Sequence, residues 1–343
     1  MVISRLVLNV RTVIPRYSLS FHKVKHTITM VRHASTTASA SAPYVSKREV
    51  KAKNGGNVVC EIHSPTEEFA DVDDAVLLVN GWTMGKGDWG STFFTNMCKN
   101  RPCIAYDNRG IGESIVTPGT YTIDMLVEDC VDVIESLYSD SSSRKRVHIL
   151  GTSMGGMIAL QLALERPDLV KSLVLCGTTA GGKESAPAER EFAKEFFSLF
   201  TGWNNTTSKD LGDKDVQQNV KIARRFLEMC HFKQQLDSQT LFDLSTHFVL
   251  NGRKTNEGIQ SQLSALGRFN AFDKLIKLSS TQIPTLIIHG KEDRVIPFRN
   301  AEIMHDKVLQ SQLLALPNVG HLWQLTNPEV VQSILGFFSG AKL

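Results

Sequence analysis

The chain has 343 residues, 42% of them hydrophobic and 21% charged, a globular composition that excludes a disordered or collagen-like chain. Its wholly apolar stretches, such as 75–79 and 286–288, fall far short of the roughly 20 residues that span a bilayer, so no transmembrane helix is expected. The net charge of +3 comes from one end: residues 1–48 hold eight Lys or Arg and no Asp or Glu, leaving 30 basic against 35 acidic residues and no electrostatic case for nucleic acid.

Those 48 residues also hold twelve Ser or Thr, the Arg-rich, Ser-rich, acid-poor composition of a mitochondrial transit peptide. On a helical wheel Leu6, Val7, Val10, Val13 and Ile14 share one side and Arg5, Asn9, Thr12 and Arg16 the other; Leu8 breaks the pattern and Pro15 ends it. Asn9 and Arg11 interrupt the apolar run that a secretory signal needs. Residues 1–45 are therefore expected to be a mitochondrial leader and a flexible joint. At the other end, Ala341-Lys342-Leu343 is a conservative variant of the S-K-L peroxisomal address, which makes the peroxisome the alternative or additional destination.

From residue 46 onward, β-rich apolar runs alternate with longer helical ones, the pattern of a mostly parallel α/β sheet. Residues 47–52 and 57–63, joined by Asn54-Gly55-Gly56, predict an opening hairpin. Buried strands follow at 75–80, 102–106, 146–150, 172–176, 284–289 and 312–316. A helix is predicted over 122–138, where Ile123, Leu126, Val127, Cys130, Val131, Ile134 and Leu137 form one apolar face. Between 176 and 284 no strand is evident, but helical patterns recur at 189–200, 216–230, 238–250 and 258–269. Residues 183–280 are thus expected to form an inserted helical cap over a core made of 46–182 and 281–343. The six cysteines show no C-x-x-C or histidine spacing for zinc and are expected to be reduced, buried thiols.

The strand at 146–150 runs into Gly151-Thr152-Ser153-Met154-Gly155-Gly156 and then straight into a helical run, which is G-x-S-x-G in the strand-turn-helix setting that exposes a nucleophilic serine. Such a serine needs a base, and the base an orienting acid, both from later strand ends. Asp293 follows the strand at 284–289 and His321 follows that at 312–316, completing the order Ser, Asp, His. Glu292 competes with Asp293, but neighbours in an extended loop point to opposite sides, and Asp293 is preferred. His289, inside an apolar strand, is read as a satisfied core histidine, and His148 and His305 lack a glycine hinge after a final strand. Oxyanion donors are expected from the amides of Met154, after the nucleophile, and Trp82, in the Asn80-Gly81-Trp82 loop.

N-G-W at 80–82, D-N-R-G-I-G-E-S at 107–114, G-T-S-M-G-G at 151–156, Gly290 to Pro297 and Gly320-His321 together make residues 46–343 resemble the α/β-hydrolase fold. L-C-G-T-T-A-G-G near 182 is similar to the branch of 3-oxoadipate enol-lactonases and small carboxylesterases. The resemblance implies an eight-stranded, mostly parallel sheet flanked by helices, a structural role for Asp107 and Arg109, and neither a metal nor a redox cofactor. Family enzymes often carry His where this chain has Asn80, which bears on hydrogen bonding behind the oxyanion loop and leaves the Trp82 amide available. The activity expected is that of a serine hydrolase cleaving an ester, thioester or lactone of a small-molecule substrate through an acyl-enzyme on Ser153, the apolar residues of the cap suggesting a medium-sized, uncharged acyl group. The alternative is an acyltransferase using the same residues.

The leader reading makes a direct prediction: a reporter fused to residues 1–42 accumulates in mitochondria when imaged in cells, and a cytosolic signal refutes it.

Overall fold

The computed structural model describes residues 43–65, 74–114, 119–137, 146–205, 212–231, 236–327 and 329–342. Residues 1–42 of the expected leader and Leu343 of the terminal tripeptide lie outside them.

Eight strands form one sheet: β1 (Tyr44–Lys51), β2 (Asn57–Ser64), β3 (Val76–Val79), β4 (Cys103–Tyr106), β5 (Val147–Thr152), β6 (Val170–Cys176), β7 (Thr285–Gly290) and β8 (Ser311–Leu316). Their order is β1-β2-β4-β3-β5-β6-β7-β8. β2 runs antiparallel to both β1 and β4, and every pair from β4–β3 through β7–β8 is parallel. The expected hairpin is present in the register Tyr44↔Ser64 to Lys51↔Asn57. It starts three residues before the predicted 47, inside the expected joint, because an edge strand needs no buried face: Tyr44 and Val45 are half exposed.

Ten α-helices accompany the sheet among the described residues: α1 (Ser91–Met97), α2 (Ile123–Leu137), α3 (Met154–Glu165), α4 (Arg190–Ser198), α5 (Asp213–Cys230), α6 (Ser238–Leu250), α7 (Asn256–Arg268), α8 (Leu275–Ser280), α9 (Arg299–Lys307) and α10 (Val330–Phe338). The strands' period of two divides the interior. Leu77 and Val79 of β3 join the core that contains α2 and α3, while Val76 and Leu78 join the core that contains α1 and α10. Both sheet faces are thus covered, which is why the parallel strands read as unbroken apolar runs. Helices α4 to α8 fall between β6 and β7 with no strand among them. All six cysteines are free and buried, as expected.

At the N-terminal end of the parallel strands, His148 is buried. Its Nδ1 lies 2.7 Å from Ser172 Oγ, its Nε2 lies 3.0 Å from Asp74 Oδ1, and its ring packs on Phe338 of α10. Burial pushes the imidazole down to about 4, against the pull of Asp74 in the other direction. Between that value and the 6.5 of an unfolded chain, only the unfolded state binds the proton, so stability falls as pH falls through this window. We predict a loss of about 2 kcal/mol between pH 7.5 and 5 from this residue, read from urea midpoints. The pH dependence should be much reduced in His148→Gln; an unchanged slope in that variant refutes the assignment.

Candidate active site

The turn from β5 into α3 places Ser153 at φ 55° and ψ −120°, a left-handed conformation that a non-glycine residue adopts only under strain. The strain is held by four hydrogen bonds. Ser153 N donates to Cys176 O (2.9 Å), and Ser153 O accepts from Gly156 N (2.9 Å), Met157 N (3.3 Å) and Thr178 Oγ1 (2.7 Å). Glycine at 155 is a steric demand, since a Cβ there would lie 2.0 Å from Val79 O. Ser153 is partly exposed, and among the described residues its hydroxyl has no hydrogen-bond partner. A serine waiting for its base is commonly looser before substrate arrives.

His321 and Asp293 are brought together: His321 Nδ1 donates to Asp293 Oδ2 at 2.6 Å, both side chains being buried. In the neutral ring a proton on Nδ1 puts the lone pair on Nε2, the tautomer in which an imidazole can accept a proton there. Asp293 Oδ1 accepts from Val295 N (2.8 Å) and Ile296 N (2.9 Å). Burial pushes the Asp293 carboxyl up, but His321 and His289 more than offset it and hold the group well below the usual carboxylate range. Glu292 is exposed, as the alternation argument for Asp293 expects. Gly177, next to the Cys176 carbonyl that holds Ser153 N, lies against both His321 and Asp293: a Cβ on it would be 3.4 Å from His321 Nδ1 and 3.5 Å from Asp293 Oδ2. The residues 176–178 thus separate the serine from the acid-base pair by a single strand end.

The loop after β3 runs along the other side of the serine, where a Cβ on Gly81 would approach Ser153 Cβ to 3.3 Å. Among the described residues the amides of Trp82 and Met154 have no hydrogen-bond acceptor, leaving both free to bind an oxyanion. Asn80, where family enzymes often have His, donates to Tyr106 O (2.6 Å) and accepts through its carbonyl from Asn108 (3.0 Å), so it fastens β3 to the end of β4.

Three ties from the helical block to these residues were not read from sequence. Trp82 Nε1 donates to Ile259 O (2.9 Å), and its ring meets Phe200 edge-on at 5.1 Å. Gln262, fully buried on α7, accepts from Thr83 N (3.2 Å) and donates to Arg109 O (3.1 Å). His321 N donates to Cys230 O, at the last residue of α5 (2.6 Å). A cavity of about 30 Å³ lies among Met84, Phe226, Leu227, Phe248, Leu322 and Leu325, bounded by this block and the loops that follow Trp82 and His321.

One reading needs correction. His289 is not a satisfied core histidine: its Nε2 lies 2.8 Å from Ile296 O and 3.2 Å from Asp293 Oδ2, and its buried Nδ1 has no partner among the described residues. Asp107 and Arg109 are structural, as expected: within its own loop Asp107 Oδ2 accepts from Glu113 N (2.9 Å) and Asp107 O from Ser114 Oγ (2.6 Å), and both residues also reach other elements. Arg109 grips Asp129 of α2 through Nε (2.7 Å) and a second nitrogen, and Asp107 Oδ2 accepts from the buried Lys86 ammonium (2.8 Å). No group of residues suited to a metal ion occurs among the described residues.

Residues 74–328 match the family model for the alpha/beta hydrolase fold, and the chain belongs to that family of hydrolases. Among its relatives is RutD of Variovorax paradoxus, named as a carbamate hydrolase, which is 26% identical over 81% of this chain and 95% of its own length. The pimeloyl-[acyl-carrier protein] methyl ester esterase of Aeromonas salmonicida is 23% identical over 80% of this chain and 98% of its own. Solved structures share the fold. A Pseudomonas aeruginosa hydrolase superimposes with a TM-score of 0.67 at 21% identity, over 86% of this chain and 99% of its own. A Thermogutta terrifontis esterase does so with a TM-score of 0.65 at 22% identity, over 86% and 98%.

The steric reading of the elbow is testable with two alanines. Gly155→Ala should lower the urea-derived stability by at least about 2 kcal/mol, because its Cβ meets backbone that cannot retreat. Gly267→Ala, on a helix position with open space around it, should raise stability by about 0.5–1 kcal/mol. Equal effects of the two would refute the close-approach argument.

Proposed function

We propose that the protein is a serine hydrolase that cleaves a carboxylic ester, thioester or lactone through an acyl-enzyme on Ser153. The observation that carries this reading is the 2.6 Å hydrogen bond between His321 Nδ1 and Asp293, set across the strand end 176–178 from the strained, partly exposed Ser153. In this reading His321 takes the Ser153 proton as the hydroxyl attacks the acyl carbonyl, and the amides of Trp82 and Met154 bind the oxyanion that develops. Protonated His321 then gives its proton to the leaving oxygen or sulfur. Water, activated by the same histidine, releases the acid. Asp293 orients the imidazole and stabilises its charge without taking the proton.

Helices α4 to α8 act as the cap. Phe200, Phe226 and Phe248 pack on one another within the cap, and Phe196, Phe197 and Phe200 meet the Trp82 ring. Between them and Leu322 lies a small, mostly apolar cavity that also meets Asp88 and His247, and this lining supports an uncharged acyl group. That two relatives are named for cleaving a methyl ester and a carbamate supports attack on a carbonyl carbon bearing a heteroatom leaving group.

Ser153→Ala should abolish labelling by a fluorophosphonate probe and reduce ester turnover by on the order of 10⁶. His321→Ala should approach this loss, and Asp293→Asn should cost about 10⁴. Glu292→Gln should be silent. Full-rate labelling of the Ser153 variant, or damage from Glu292→Gln with none from Asp293→Asn, would overturn the assignment. Supplying one acyl donor with millimolar alcohols or thiols should give mostly hydrolysed product. A transfer-to-hydrolysis ratio well above one would make the protein an acyltransferase instead.

A further inference from the structure

We infer that His289 is a positioning residue for the acid of this site, fixing the loop that carries Asp293 while facing the carboxylate oxygen that accepts from His321. This rests on the Ser153 reading and adds a residue that no motif marks. The side chain is fully buried at the end of β7, four residues before Asp293. Its Nε2 lies 2.8 Å from Ile296 O, and a carbonyl can only accept, so Nε2 carries the proton. The same nitrogen lies 3.2 Å from Asp293 Oδ2. Its hydrogen points chiefly at Ile296 O, and its positive edge faces the carboxylate.

The result is a closed ring of contacts. His289 holds Ile296 O, Ile296 N and Val295 N hold Asp293 Oδ1, and Asp293 Oδ2 holds His321. Opening the ring at His289 frees the Ile296 carbonyl and removes a polar neighbour from the oxygen that orients the base. The turn is anchored independently at its start, where Lys291 N and Glu292 N donate to Leu316 O and Val319 O, so loss of His289 should loosen the acid without unravelling the strands. Phe298 packs edge-on to the ring at 6.0 Å and fixes its plane.

A second feature argues against a purely packing role. His289 Nδ1 is buried and has no hydrogen-bond partner among the described residues. An orphaned acceptor is a standing penalty that an apolar side chain at this β7 position would avoid. Histidine here is explained by what its other nitrogen does.

The test compares His289→Phe, which keeps the ring shape and removes the donor, with His289→Gln, whose terminal amide can donate to Ile296 O. For His289→Phe we expect kcat to fall at least about 10-fold with KM unchanged, because a small displacement of a catalytic group acts on the chemical step. His289→Gln should restore most of the loss. In proton NMR the downfield resonance of the His321 Nδ1 hydrogen should be retained in His289→Gln and broadened or shifted in His289→Phe. Should His289→Phe not fold, His289→Asn removes the reach to Ile296 O and takes its place. A lowered urea midpoint with wild-type kcat and an unmoved resonance would make His289 a fastening of the fold only and overturn the inference. If wild-type protein is not labelled by fluorophosphonate at Ser153, the functional reading fails and this inference with it. Labelling that survives in every His289 variant at the wild-type rate overturns the His289 role alone.

Discussion

Helix α3 passes so close to β3 that the Val79 carbonyl occupies the place where residue 155 would carry a side chain. The rest of the site hangs on that approach. To enter the helix at this depth the chain must reverse within one residue, and the reversal puts Ser153 in a left-handed conformation that costs on the order of 1–3 kcal/mol. The surrounding bonds offset it: the Cys176 carbonyl, the Thr178 hydroxyl and the Gly156 and Met157 amides of α3 are all engaged by the Ser153 backbone. Since the backbone is used up in holding the turn, the side chain is what remains presented at the carboxyl edge of the sheet. The same geometry leaves the Met154 amide, at the start of a helix, without an intrahelical partner.

The site is assembled by two parts of the chain, not by the sheet alone. The Trp82 and Thr83 loop is held on one side by β3 and on the other by Ile259 and Gln262 of α7. Gln262 also reaches Arg109, whose guanidinium is gripped by Asp129 on α2. The backbone of His321 hangs from the last residue of α5. Any shift of α5 or α7 away from the sheet would therefore move the Trp82 loop or the His321 backbone directly.

The strands and the sharp turn at Ser153 are legible in the sequence because their signals are local. Buried parallel strands are short apolar runs, and G-x-S-x-G between a strand and a helix reports a steric demand within six residues. The strand ends were less so: β5 runs two residues past the predicted 150, because Gly151 and Thr152 still pair with β6 although glycine is a poor strand former. Asp293 and His321 were found by their places after successive strands, and Glu292 was set aside by alternation. Gln262, the Cys230 carbonyl and His289 were not found. Their roles are set by which surface lies opposite them in the fold, and a glutamine on an amphipathic helix or a histidine in an apolar strand looks the same in sequence whether it meets solvent, lipid-like core or a catalytic loop. The one available hint for His289 was its polarity in an otherwise apolar run, which fits a satisfied core residue equally well.

The distribution of buried charge gives the site its character. Asp129 faces the permanent cation of Arg109, and Asp107 that of Lys86, so each of these pairs is closed and inert. Asp293 is as deeply buried, yet among the described residues its contacts are two imidazoles and two backbone amides. The side chain of the adjacent Arg294 is largely exposed and lies over Phe192 instead. A buried carboxylate without a fixed cation is stabilised by whatever positive charge appears next to it. In the proposed mechanism that charge appears on His321 only when it has taken the serine proton, in the transition state and the tetrahedral intermediate. In that mechanism the contact strengthens as His321 gains charge, which is the condition for an electrostatic contact to accelerate a reaction and not merely to bind its substrate. An arginine beside Asp293 would make the fold more comfortable and would remove that difference.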